Sequence, residues 1–215
     1  MEDLIQIEKA AEEHLTIAGI EKNLSNKMKS LAKSELKQSK ANETLAQKEF
    51  DLAKIRKEFA ETNIDLVDHK LKIRQGGVLQ FKEDEIKNNV NISIYNGKLA
   101  QIHEKFADVN KKIADLEKII AEKRESIAYL ILNVARIRVI LARKQFVYIK
   151  SVRNQLMQEK IIKVEKEIET LSKDLFNERI KLKTQEEEIK KKENKLAELN
   201  KEASLILSER EKIRH

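Results

Sequence analysis

The chain has 215 residues with no proline, no cysteine and four glycines; 38% of it is charged, 4% is aromatic, and the net charge is +7. A globule of this length needs many chain reversals, and so few turn-forming residues exclude it. The absence of cysteine excludes disulfides and thiolate metal centres, and 40% hydrophobic residues exclude plain disorder.

Residues 1–75 are expected to form one long helix. Leu24, Leu31, Gln38, Leu45, Leu52, Phe59, Leu66 and Ile73 recur every seven residues. Most are followed by a small or branched apolar residue, as in Leu31-Ala32, Leu45-Ala46 and Leu52-Ala53. Alanine beside leucine allows a neighbouring helix to approach closely, as in an antiparallel bundle. The companion column, from Ile20 and Lys27 to Ile55 and Thr62, is weak. Gly19 reads as a tolerated interior glycine.

Gly76-Gly77, the only diglycine, marks the expected main reversal. Residues 76–97 are expected to be a turn and an asparagine-rich connector. Within it Val90, Ile92 and Ile94 alternate like a strand, whereas Ile92 and Tyr95 also fit a heptad, so a loop and a kinked helix both remain open.

Residues 98–150 carry the clearest pattern. Positions from Ile92 and Leu99 through Ile120, Val134 and Leu141 to Tyr148 keep strict 3-4 spacing, broken in character only by Lys123 and Lys144. Spacing that averages 3.5 holds one stripe against a partner helix over many turns. Residues 151–215 resume the seam at Ile161, Val164 and Ile168. The step from Tyr148 to Ile161 is one residue short of two heptads, so the register slips between Lys150 and Lys160. A continuous helix through this point and a second reversal at 151–158 are both compatible with the pattern. The absence of glycine there favours the first, and the similar lengths of the three segments favour the second. The predicted fold is therefore all-α, an elongated antiparallel helical hairpin or a three-helix coiled-coil bundle, with the bundle preferred and self-association into a dimer or higher oligomer expected.

No catalytic, cofactor or metal site is expected. His103-Glu104 opens like the HExxH zinc motif, but Ala107 occupies the place of the second histidine. Asp65 and His69 lie one turn apart and offer two ligands at most. There is no GxxxxGK[ST] and no GxGxxG to hold a phosphate.

The functional signal is the segment 126–163. It holds eight basic residues against Glu159 alone, a surplus equal to the net charge of the whole chain. Its first part is also the most apolar stretch, yet Arg136 and Arg138 at its centre oppose a membrane span. On a helical wheel Arg136, Arg143 and Lys150 form a stripe nearly opposite the heptad seam, shared with Ile140, Phe146 and Val147. The candidate contact residues are Arg136, Arg138, Arg143, Lys144, Phe146, Tyr148, Lys150 and Arg153. A helix apolar on two sides is normally buried by neighbours, with arginine heads at the edge. The other readings are an anionic membrane surface and an acidic protein partner. Few aromatics and no recognisable motif argue against nucleic acid.

These features predict a non-enzymatic structural or scaffolding protein that self-associates or docks on a larger assembly through its basic-apolar helix. Its expected place is the cytoplasm, in association with a cytoskeletal or membrane-bound assembly. Three long helices with a basic middle also resemble BAR-type membrane modules in general plan, without a shared motif. The stalk of a secretion or motor ATPase is a further alternative.

Overall fold

The computed structural model describes residues 2–75, 83–155 and 157–214, without the side chains of 68–75, 83–89 and Arg214. They form three long helices packed against one another: α1 (Glu2–Gln75), α2 (Glu83–Arg153) and α3 (Gln158–Arg214). Helix ends carry charges that suit the backbone dipole. Glu2 and Asp3 open α1, Glu159 opens α3, and Lys150 and Arg153 close α2.

The stretch 88–97 is helical, so α2 begins well before residue 98. Alternation at Val90, Ile92 and Ile94 does not make a strand, because no strand is present among the described residues to pair with it. A helix satisfies its own backbone groups locally, and an unpaired strand does not. The expected reversal at Gly76-Gly77 lies outside the described residues. Gly97, the last residue of the expected connector, is inside α2 and faces α1. A Cβ built there would come within 3.1 Å of Ile64 Cδ1.

The second reversal occurs at the register slip. Asn154 N–H donates to the Lys150 carbonyl at 3.0 Å and Gln155 N–H to the Val152 carbonyl at 3.1 Å, which closes the end of α2. Gln155 adopts φ 50°, the left-handed conformation that glycine usually supplies. A chain can therefore turn here without glycine, at the cost of local strain.

Two compact units divide the contacts. The first comprises Met1–Lys37 with Ile119–Glu193, and the second Gln38–Lys118 with Asn194–His215. In the first unit α1 and α2 run antiparallel, with Glu21 paired to Arg138 and Glu35 to Arg124, a step of two heptads on each helix. Ala11, Ala18, Ser25 and Ala32 of α1 and Ala121, Ala128, Ala135 and Ala142 of α2 are all buried. Each set repeats every seven residues, and Ser25 Oγ donates to the Ala128 carbonyl oxygen at 2.6 Å. Only small side chains let one helix reach the backbone of another in this way.

The opposite side of α2 meets α3. Val134, Leu141 and Leu175 form a buried cluster with Ile137, Ile168 and Leu171 packed on it. Lys144–Glu167 and Lys123–Glu188 set α3 antiparallel to α2, three heptads apart on both helices. Helix α2 thus has two buried faces, a heptad seam toward α3 and an alanine column toward α1. That is why its sequence is apolar nearly all round.

In the second unit the α1–α2 contact has the same composition. Ser39, Ala46, Ala53 and Ala60 are buried, as are Ala100, Ala107 and Ala114. Glu43–Lys118 and Lys57–Glu104 again lie two heptads apart on both helices. On α3, Ala203 is buried.

Of the large-plus-small stripe read along α1, only the small half is covered. Ala32 is 1% exposed, whereas the adjacent Leu31 is 62% exposed. Successive helical residues differ by about 100° in direction, so a neighbour that closes on the alanines leaves the leucines at its flank.

Candidate functional site

The eight contact candidates separate into two groups. Arg138 is 7% exposed, and its Nε lies 3.0 Å from both carboxylate oxygens of Glu21. Its guanidinium also sits 3.3 Å from His14 Nδ1. Burial, then the Arg138 charge, hold the His14 pKa below its ordinary 6.5, against a smaller opposing pull from Glu13. The ring is therefore neutral near pH 7 and can accept from Arg138 at Nδ1.

Lys144 pairs with Glu167 at 2.6 Å. That hydrogen bond holds the Glu167 carboxyl below its ordinary 4.5. Burial raises the Tyr148 phenol, helped by its hydrogen bond to Glu165 on α3. Arg153 Nη2 donates to Glu8 at 2.7 Å, tying the end of α2 to the start of α1. Phe146 is half-buried. Arg138, Lys144, Tyr148 and Arg153 are thus used within the bundle. Both members of the Lys144–Glu167 and Arg153–Glu8 pairs are partly exposed, so these pairs contribute little stability and chiefly set register.

Arg136, Arg143 and Lys150 form the second group. All three are exposed, and among the described residues none of them is ion-paired. Ile140 and Val147, 45% and 48% exposed, lie between them. Residues 136, 140, 143, 147 and 150 therefore make an outward ridge at 3-4 spacing, alternately basic and apolar. Tyr129 continues the basic column one heptad earlier, with the Lys29 ammonium 4.3 Å from its ring centroid.

Open grooves flank the ridge. Toward α1, one is lined by Ala18, Lys22, Asn26, Leu132, Val139 and Ile140. Toward α3, another is lined by Ile140, Ile162, Lys163, Lys166, Glu167 and Leu171. Lys22 and Lys166 belong to neighbouring helices, so helix-by-helix reading of α2 did not find them. Only the antiparallel registers bring them beside the ridge. A surface of this kind can receive a rod-shaped apolar partner that carries carboxylates.

The remaining chemistry-bearing residues take no part. Glu104 of the incomplete zinc motif is paired with Lys57 at 2.9 Å. The side chain of His69 lies outside the described residues. Among the described residues no group of three or more histidines and carboxylates is placed to share a metal ion, and no helix is long and apolar enough to cross a membrane. Comparison with protein families and with curated proteins returns no match.

Proposed function

We propose that the protein is a non-enzymatic helical scaffold that docks on a larger assembly through the basic-apolar ridge of α2, its partner an acidic amphipathic helix. The observation that carries this reading is the stripe itself. Arg136, Arg143 and Lys150 are exposed without ion-pair partners among the described residues, interleaved with exposed Ile140 and Val147. Arg138, Lys144 and Arg153 of the same segment are instead drawn into intramolecular pairs. Charge left free beside exposed apolar surface supports recognition of an acidic, partly apolar partner, because the charges steer encounter and the apolar groups supply affinity.

A membrane surface is the second reading. Anchoring at a lipid interface draws on bulky apolar and aromatic side chains. Here Phe146 and Tyr148, the bulkiest candidates, are half-buried. That favours a helical protein partner over lipid.

The test is charge reversal of Arg136, Arg143 and Lys150 to glutamate, with helicity followed by circular dichroism. Loss of partner co-purification with helicity unchanged supports docking through the ridge; undiminished co-purification rules it out. Co-sedimentation with anionic but not neutral vesicles, abolished by the same variant, would transfer the assignment to a membrane surface.

A further inference from the structure

The ridge of α2 continues toward the start of the helix, still within the first unit. Between 119 and 150 the exposed residues of α2 are Ile119, Glu122, Ser126, Tyr129 and Asn133, followed by the five of the basic stripe. Their 3-4 spacing is unbroken, so one face of the helix carries them all. Ile119 is 38% and Tyr129 45% exposed, and they stand toward one end of this face as Ile140 and Val147 do toward the other.

The charges of the face divide in the same way. Glu122, Lys123, Arg124 and Glu125 balance in sequence. In the fold Lys123 is held by Glu188, and Arg124 by Glu35 and Glu193. Arg138 and Lys144 are likewise held by Glu21 and Glu167. Among the described residues, the charges of α2 from 119 to 150 without an ion pair are therefore Glu122 and Glu125 in the first half and Arg136, Arg143 and Lys150 in the second. The first half has become a partly apolar helix face that carries carboxylates, which is the chemistry the second half fits.

We infer that a second copy of this chain occupies the ridge, the two α2 helices antiparallel about Asn133. The inference rests on the ridge being a docking surface and names its occupant. Glu122 of one copy then lies near Arg143 of the other, and Ile119 near Val147. The Tyr129 ring lies near the Arg136 guanidinium, and the small Ser126 lies opposite Ile140. The two Asn133 amides meet at the twofold axis, where each can donate and accept. Every contact occurs twice, as in an interface built from one self-complementary patch. A parallel arrangement would set Arg136 and Arg143 against their own counterparts.

The flanking helices fit the same register. On α1, Lys29 is taken up by the Tyr129 ring. Lys22 and Lys33 both fall beside Glu125, one from each copy. On α3, Lys166 falls beside Glu122 of the other copy, and Asp174 beside its Lys181. Lys150 and Lys163 overhang the end of the paired stretch, exposed to water and salt that screen their repulsion.

Sedimentation equilibrium of the full chain is expected to give a dimer at high micromolar concentration, and a monomer there overturns the inference. Glu122→Arg and Arg143→Glu are each expected to raise the dimer dissociation constant by about tenfold, because two like-charge contacts replace two pairs. Helicity should be unchanged, since both side chains are exposed. The chain carrying both substitutions is expected to dimerise as the wild type does. Unaltered affinity in the single variants, or no recovery in the double one, overturns the pairing. Because the chain has no cysteine, mixed I119C and V147C proteins read the orientation. They are expected to oxidise to the linked pair of unlike copies, and preferential I119C–I119C linkage overturns the antiparallel arrangement. A monomeric wild type strikes this inference alone, because the ridge remains able to hold a carboxylate-bearing helix of another protein, which co-purification reads. Undiminished co-purification of the charge-reversed ridge together with loss of its dimer strikes that docking and supports self-association.

Discussion

Ser25 of α1 donates its hydroxyl hydrogen to the backbone carbonyl of Ala128 on α2, at 2.6 Å and out of contact with water. A side chain this short reaches a helix backbone only where the helices are in close contact. The carbonyl has a second lone pair for it while keeping its own helical bond. Ser25→Ala removes one hydrogen bond without changing the fit, and an expected loss of about 1 kcal/mol follows. Ala128→Leu forces a branched side chain into the same contact and should cost about 3 kcal/mol, the upper range for overpacking. Urea denaturation of both variants checks the order: a leucine variant no less stable than the alanine one would show that the contact is looser than described.

Arg138 and Glu21 are mutually dependent. Arg138→Leu leaves the half-buried Glu21 carboxylate without its cation, an expected cost of about 3 kcal/mol, at the low end for a broken buried pair because Glu21 keeps some solvent contact. Replacing both residues by leucine should restore most of the stability. A thermal-melt double-mutant cycle on Arg138 and Glu21 measures the coupling, and independent, additive losses would contradict it.

His14 should make stability fall as pH drops below about 6.5. Its folded pKa is lowered, chiefly by burial and then by Arg138. The unfolded chain therefore takes up a proton first as pH falls, and folding free energy is lost from the unfolded pKa down through the folded one. Glu167 and Glu188, held low by Lys144 and Lys123, act in the same direction only below about 4.5. Melting temperatures between pH 7 and pH 5 should decline in the wild type and be nearly flat in His14→Gln. An equal decline in both would assign the effect to another group.

Gln155 closes the α2–α3 turn at φ 50°. A left-handed conformation costs a non-glycine residue roughly 1–2 kcal/mol, part of which glycine returns as unfolded-state entropy. Gln155→Gly should therefore stabilise the fold by about 0.5–1 kcal/mol, and Gln155→Val, which is branched, should destabilise it. Chemical denaturation decides, and a destabilised glycine variant would mean that the glutamine side chain contributes to the turn.

The α3 seam was legible because its heptads describe its buried face. Leu175, Ile189 and Ala203 are buried, and the intervening seam positions are half-covered. The α2 seam was legible for the same reason from Leu99 onward. Its alanine column was not read, although Ala100 to Ala142 recur every seven residues, because small side chains add little to a hydrophobic pattern. The turn at Gln155 was visible only as a slip in register. Of the basic segment, the stripe of Arg136, Arg143 and Lys150 follows from helical geometry alone. Which other cations are used internally does not: Arg138 and Arg143 look alike in sequence, and only the first has Glu21 and His14 opposite it.

Composition and periodicity by themselves determined that the fold is all-α, where the seams of α2 and α3 run, and that the surplus positive charge lies in one segment. Those properties depend on local propensity and on spacing along one helix. The tertiary structure decided which of two adjacent columns each helix buries, which charges are neutralised, and where the chain turns without glycine. The first two depend on residues far apart in sequence, as with Ser25 and Ala128, and the register that brings such residues together is a property of the packed helices.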